Sequence, residues 1–116
     1  MEFTGKNSKV PEMQVKARND IQKFIDAVLS GNTRKIWRVV DMQFRSKYKR
    51  KFVKTYVDEI REIELLSVHF TSSVMMTATF EIDSQLKKIN FIAQNKAYKT
   101  NAEKPFLFNP ISIRNV

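Results

Sequence analysis

Residues 74–83 read Val-Met-Met-Thr-Ala-Thr-Phe-Glu-Ile-Asp. Val74, Met76, Ala78, Phe80 and Ile82 alternate with Met75, Thr77, Thr79, Glu81 and Asp83. A period of two, apolar on one side and largely polar on the other, predicts a half-buried strand with a wet face. The same period starts upstream, where Ile63 and Leu65 face one way and Leu66, Val68 and Phe70 the other. That switch predicts a bulge near Leu65. Downstream, Asp83 to Lys88 reads as a polar turn, and Ile89, Phe91 and Ala93 open a third strand with Ile92 and Tyr98 opposite. Thr100 to Pro105 reads as the next turn. A last strand carries Phe106 and Phe108, breaks at Asn109-Pro110 and resumes at Ile111 and Ile113. Pro110 has no N–H for a ladder, which puts it at an edge or bulge. Four strands joined by hairpin-length turns pair antiparallel.

Before Ile60 the apolar period is 3.6. Ala17, Ile21, Phe24, Ile25, Val28 and Leu29 line one face of a helix, and Gly31 stands where a left-handed residue closes it. Thr33 offers an oxygen to cap a second helix, whose apolar residues are Ile36, Trp37 and Val40. Phe44, Tyr48, Phe52, Val53, Tyr56, Val57 and Ile60 continue the stripe. The spacing predicts helices over 15–30, 33–41 and 43–59. About three helices ahead of a four-stranded antiparallel sheet make an α+β domain with the helices on one face. Residues 14–116 are expected to form that single domain. Residues 1–13 are expected as a disordered or cloning-derived lead, because Glu2-Phe3 after Met1 is what the restriction hexamer GAATTC encodes.

The 116 residues suffice for one domain, and 42% hydrophobic against 28% charged is a globular composition. There is no cysteine, one histidine and two glycines. Disulfide scaffolds, thiolate metal sites, multi-histidine sites and glycine-rich phosphate loops are thereby excluded. No cofactor and no metal are expected. Neither a signal-peptide core nor a stretch of about 18 apolar residues occurs.

The formal net charge is +9, and nearly all of it lies in one window. Between Arg34 and Lys54 there are nine basic residues and one acid, Asp41. Arg45, Lys47, Lys49, Arg50, Lys51 and Lys54 are the candidate partner-binding face. Such a face is a solvated helix surface, a phosphate-contacting surface for nucleic acid, or a surface for anionic lipid or an acidic protein. Phe44, Tyr48, Phe52 and Tyr56 recur every four residues, so they are expected in the core, which counts against base stacking.

Catalytic candidates are few. His69 in its strand needs a carboxylate and a nucleophile within reach to do chemistry. Asp41, Tyr48 and Tyr56 could line a pocket. Met75 and Met76 read as sheet residues. The acids Asp58, Glu59, Glu62 and Glu64 form a run at the helix-to-strand junction that is expected in water. No motif for phosphoryl transfer, acyl transfer or redox chemistry is present, so no enzyme activity is expected.

The order of elements resembles the nuclear transport factor 2-like superfamily, with Ile21-Gln-Lys-Phe-Ile-Asp-Ala-Val-Leu-Ser-Gly-Asn similar to its opening helix and exit. The resemblance implies a cone-shaped domain with helices on a curved sheet. Within the superfamily, Phe108-Asn109-Pro110-Ile111-Ser112-Ile113 is similar to the Asn-Pro-x-Gly segment of the inner-membrane assembly subunit of type IV (conjugative) secretion systems. Ser112 stands at the glycine position. This likeness implies a non-enzymatic assembly domain on the extracytoplasmic face of a bacterial membrane, its anchor removed upstream, with Asn109 and Pro110 as structural residues. Expected partners are other protein subunits, a second copy included, or an acidic or anionic-lipid surface. Nucleic acid is the lesser alternative, with a cytoplasmic location if there is no anchor. A small-molecule or lyase-type member of the same fold is the other.

Overall fold

Pro11 opens the longest helix of the computed structural model, which describes residues 1–93 and 104–116. Proline suits the first helical position, where an N–H has no intrahelical partner, and Glu12 adds an anion at the positive end of the helix. This helix, α1 (Pro11–Ser30), buries Ala17, Ile21, Phe24 and Val28 along one face. Gly31 closes it at φ 65°, donating its N–H to the Val28 carbonyl at 3.2 Å, as the sequence predicts.

Asn32, not Thr33, caps α2 (Thr33–Arg38). Its Oδ1 accepts from the N–H groups of Arg34 and Lys35 at 3.0 and 3.3 Å. Asp41 caps α3 (Met42–Lys47), accepting from Gln43 and Phe44 at 2.9 and 3.1 Å. The single helix expected over 43–59 is broken. Tyr48 and Lys49 are extended, Arg50–Phe52 make a 3₁₀ turn, and α4 covers Val53–Val57. A continuous helix would set Arg45 against Lys49, Lys47 against Lys51 and Arg50 against Lys54, all like-charge pairs four residues apart that weaken a helix. The break also changes which residues face inward. Val53 and Val57 are buried, whereas Tyr48, Phe52 and Tyr56 reach solvent.

Among the described residues the sheet runs β1-β2-β3-β4-β5, and β6 also pairs with β4. β1 is Glu2–Gly5, β2 Ile63–Phe70, β3 Met75–Ile82, β4 Gln85–Ala93, β5 Phe106–Phe108 and β6 Arg114–Asn115. The protein is therefore α+β with a mostly antiparallel open sheet. The β2/β3 register shifts between Leu65 and Ser67, the bulge expected there. The turn after β3 is shorter than expected. Asp83 and Ser84 alone make it, at φ 48° and 70°, the backbone of a two-residue hairpin, so β4 already starts at Gln85. Tyr98 and most of the expected 100–105 turn lie outside the described residues.

Residues 1–13, expected as a lead, supply β1 and the first turn of α1. β1 runs parallel to β2, pairing Phe3 with Val68 and Gly5 with Phe70. The Phe3 and Phe70 rings stack at 5.9 Å. The core sits between α1 and the inner face of the sheet, where Phe24 meets Phe80, Phe91 and Phe108 at 5.6, 5.2 and 4.6 Å.

Candidate functional site

The residues singled out for chemistry do not converge among the described residues. His69 is exposed on the open face of the sheet, its Nδ1 2.8 Å from Thr4 Oγ1. Asp41 is enclosed at the start of α3, with Oδ2 buried and without a hydrogen-bond partner. Burial raises the Asp41 carboxyl above its ordinary range, against the N–H groups of Phe44 and Gln43 and the charge of Arg45. Its geometry is that of a helix cap. Tyr48 and Tyr56 lie at the surface. Met76 is a core residue and Met75 a half-buried one on the other side of β3, as sheet residues should be.

The acidic run does lie in water. Asp58, Glu59, Glu62 and Glu64 are all exposed. Glu62 and Glu64 join Glu81 and Asp83 around an open depression of about 210 Å³ where β2 starts and β3 ends. Asp83 Oδ1 is occupied there by the N–H groups of Arg61 and Glu62 at 3.0 and 2.8 Å, so this carboxylate shapes the loop.

The basic segment is built differently from the helix face read in the sequence. Arg45 is half-buried and structural. Its Nε donates to the Val40 carbonyl at 2.9 Å and its Nη2 to the Arg38 carbonyl at 2.8 Å, closing the α2–α3 connection. Lys54 is half-buried. Lys47, Lys49, Arg50 and Lys51 are exposed, and none pairs with a carboxylate among the described residues.

Between these cations stand rings that the four-residue spacing placed in the core. Tyr48, Phe52 and Tyr56 are 38%, 44% and 39% exposed. Tyr48 and Tyr56 rest on Phe44, which is buried. Tyr48 stacks on the Phe44 ring at 4.6 Å, Tyr56 meets it edge-on at 5.9 Å, and Trp37 does so at 6.2 Å. Phe52 follows at 6.4 Å from Tyr48, with Lys51 Nζ 5.5 Å from its ring centre. One buried ring thus carries two of the surface rings directly, and the third, Phe52, packs on Tyr48. The sequence signal that could have revealed this is the run of like charges at helical spacing, which opposes the helix that would have buried them.

Asn109 and Pro110 form a turn. Pro110 is buried as the first residue of the 3₁₀ turn Pro110–Ser112, outside any ladder. Asn109 Oδ1 accepts from Ile111 N–H at 3.0 Å. Ser112 Oγ accepts from Asn90 N–H at 2.8 Å and donates to the Asn109 carbonyl at 2.7 Å, tying the turn to β4.

No helix among the described residues is long and apolar enough to cross a membrane, and none of their acidic or histidine side chains group as metal ligands. No family model, curated protein or solved structure matches the chain.

Proposed function

We propose that this chain is a non-enzymatic interaction domain that takes an anionic macromolecular partner on residues 47–56. One observation carries the reading. Four exposed cations without carboxylate partners among the described residues flank three part-exposed rings. Uncompensated like charges repel, and an anionic partner relieves that repulsion while the field of the segment steers its approach. Surface aromatics and arginine are the residue types that anchor interfaces when water is excluded from them. The test is retention on an immobilised polyanion under a salt gradient. The variant Lys49→Ala/Arg50→Ala/Lys51→Ala should elute at clearly lower salt than the wild type. Lys6→Ala/Lys9→Ala/Lys23→Ala removes equal charge from exposed positions elsewhere and should elute later than the first variant. Equal elution of the two variants would mean that only net charge matters, and the reading fails.

A narrower reading is favoured by the turn at Asn109-Pro110. Its buried proline and side-chain cap suit the structural role that the secretion-subunit resemblance implies. On this reading the domain has the cone-shaped nuclear transport factor 2-like arrangement, supported by helices that precede an antiparallel meander. It then serves as the soluble assembly domain of a membrane-anchored conjugative transfer protein. Sequencing the native gene upstream tests it. A stretch of about 20 apolar residues ahead of this region is expected, and a native start without one overturns the reading.

A further inference from the structure

Resting on the anionic-partner reading above, we infer that the surface of residues 47–56 binds single-stranded nucleic acid, with bases stacked on its rings and phosphates held by its cations. The rings distinguish this partner from other polyanions. Phosphate and carboxylate polymers satisfy lysine and arginine equally well, but only unpaired bases offer π-faces to aromatic side chains. In a duplex those faces are hidden inside the stack.

The geometry fits the division of labour. One face of Tyr48 lies against Phe44 at an interplanar angle of 23°, so its exposure belongs to the remaining face and rim. Phe52 stands nearly perpendicular to Tyr48, at 73°, and presents a second platform in a different plane. Tyr56 is the third, nearly perpendicular to Phe44 at 87°. Lys47 and Lys49 flank Tyr48 in the chain, and Lys51 flanks Phe52, so two of the three platforms have a cation next to them for the adjoining phosphate. The broken helix is what makes this arrangement. In a continuous helix the rings would turn inward and leave a purely ionic face. Nothing in the segment reads base identity by a defined hydrogen-bond pattern, so the binding has little sequence preference.

Fluorescence anisotropy with a labelled oligothymidylate of about 16 nucleotides, the upper end of what one small binding module covers, is the test. An oligouridylate of the same length tells RNA from DNA, and a duplex and polyglutamate complete the set. Single strands should bind more tightly than the duplex. Phe52→Ala and Tyr56→Ala should each weaken binding on the order of tenfold without altering the salt slope, because stacking releases no counterions. Lys49→Ala/Arg50→Ala/Lys51→Ala should instead flatten the slope of log affinity against log salt by about 2, since each single-strand phosphate contact contributes roughly 0.7. Circular dichroism establishes that each variant is folded. Three outcomes overturn the inference: a duplex bound as well as the single strand, ring variants that bind like the wild type, or polyglutamate bound while oligonucleotides are not. The last leaves the anionic-partner reading standing. Failure of every polyanion to bind at 50 mM salt, where phosphate contacts are strong, removes both.

Discussion

The Asp20 carboxylate on α1 accepts the backbone N–H of Phe106 at 2.9 Å, from 86 residues away in the chain, and the same oxygen pairs with Lys16 Nζ at 2.9 Å. Asp20 is 9% exposed and Phe106 2%, so this N–H sits away from water and depends on the carboxylate. The bond fixes the start of β5 against the middle of α1. Asp20→Ala leaves the buried donor unsatisfied and should cost about 1–3 kcal/mol. Asp20→Asn keeps an acceptor and should cost less. Urea unfolding reads both, as a fall in midpoint at constant slope. An Asp20→Ala midpoint equal to the wild type would mean that water takes the place of the carboxylate.

The two glycines separate conformational cost from steric cost. Gly31 is at φ 65° with nothing within 4 Å of an added Cβ, so Gly31→Ala carries only the left-handed backbone penalty, about 1–2 kcal/mol. Gly5 is at φ 91°, and an added Cβ would meet the Phe70 carbonyl oxygen at 2.2 Å, inside any contact distance. Gly5→Ala therefore detaches β1 from β2. Amide hydrogen exchange should show the Lys6 N–H, which bonds the Phe70 carbonyl at 3.0 Å, losing its protection in this variant and keeping it in Gly31→Ala.

Asp41 gives the pH dependence a sign. Its carboxyl is raised above 3.8 by burial, so the folded state holds the proton more tightly than the unfolded chain does. Wherever the folded state binds more protons, stability falls as pH rises. The Asp41 contribution is therefore greatest below the ordinary carboxyl range and declines as pH climbs through 3.8 toward the raised value. Asp41→Asn keeps an oxygen to cap α3 and cannot ionise. The denaturation midpoint of the wild type minus that of Asp41→Asn should decline from about pH 3 to about pH 7. A difference that stays level across that range would mean that the carboxyl is not desolvated.

What could be read in the chain and what could not follow from how local each signal is. The strand over 75–82 was legible because Thr77 and Thr79 mark one side and Met76, Ala78 and Phe80 the other within a single run. The bulge after Leu65 and the cap at Gly31 are equally local. β1 was not legible, because four residues carry too little period and Phe3 finds its partner, Phe70, only in the folded sheet. The largest misreading concerned the surface now proposed as the binding face. Tyr48, Phe52 and Tyr56 share one apolar stripe with Phe44, Val53 and Val57, which are buried as expected, and periodicity cannot say which members of the stripe reach solvent. The tie is broken by repulsion among cations four residues apart and by Val53 and Val57 filling the core, and neither is visible in a count of apolar positions.

That choice between two sets of residues makes a direct stability prediction. If Val53 and Phe44 are core and Phe52 and Tyr56 are surface, truncations must rank by burial rather than by size. Phe44 is 3% exposed and carries Trp37, Tyr48 and Tyr56 against its ring, so Phe44→Ala should cost about 3–5 kcal/mol. Phe52→Ala removes the same number of atoms at 44% exposure and should stay below about 1 kcal/mol. Val53→Ala, at 0% exposure, should cost more than Phe52→Ala even though valine is much the smaller side chain. Urea midpoints for the three variants decide it. The reverse order, with Phe52→Ala the worse, would restore the continuous helix over 43–59, turn the rings inward and remove the stacking surface with them.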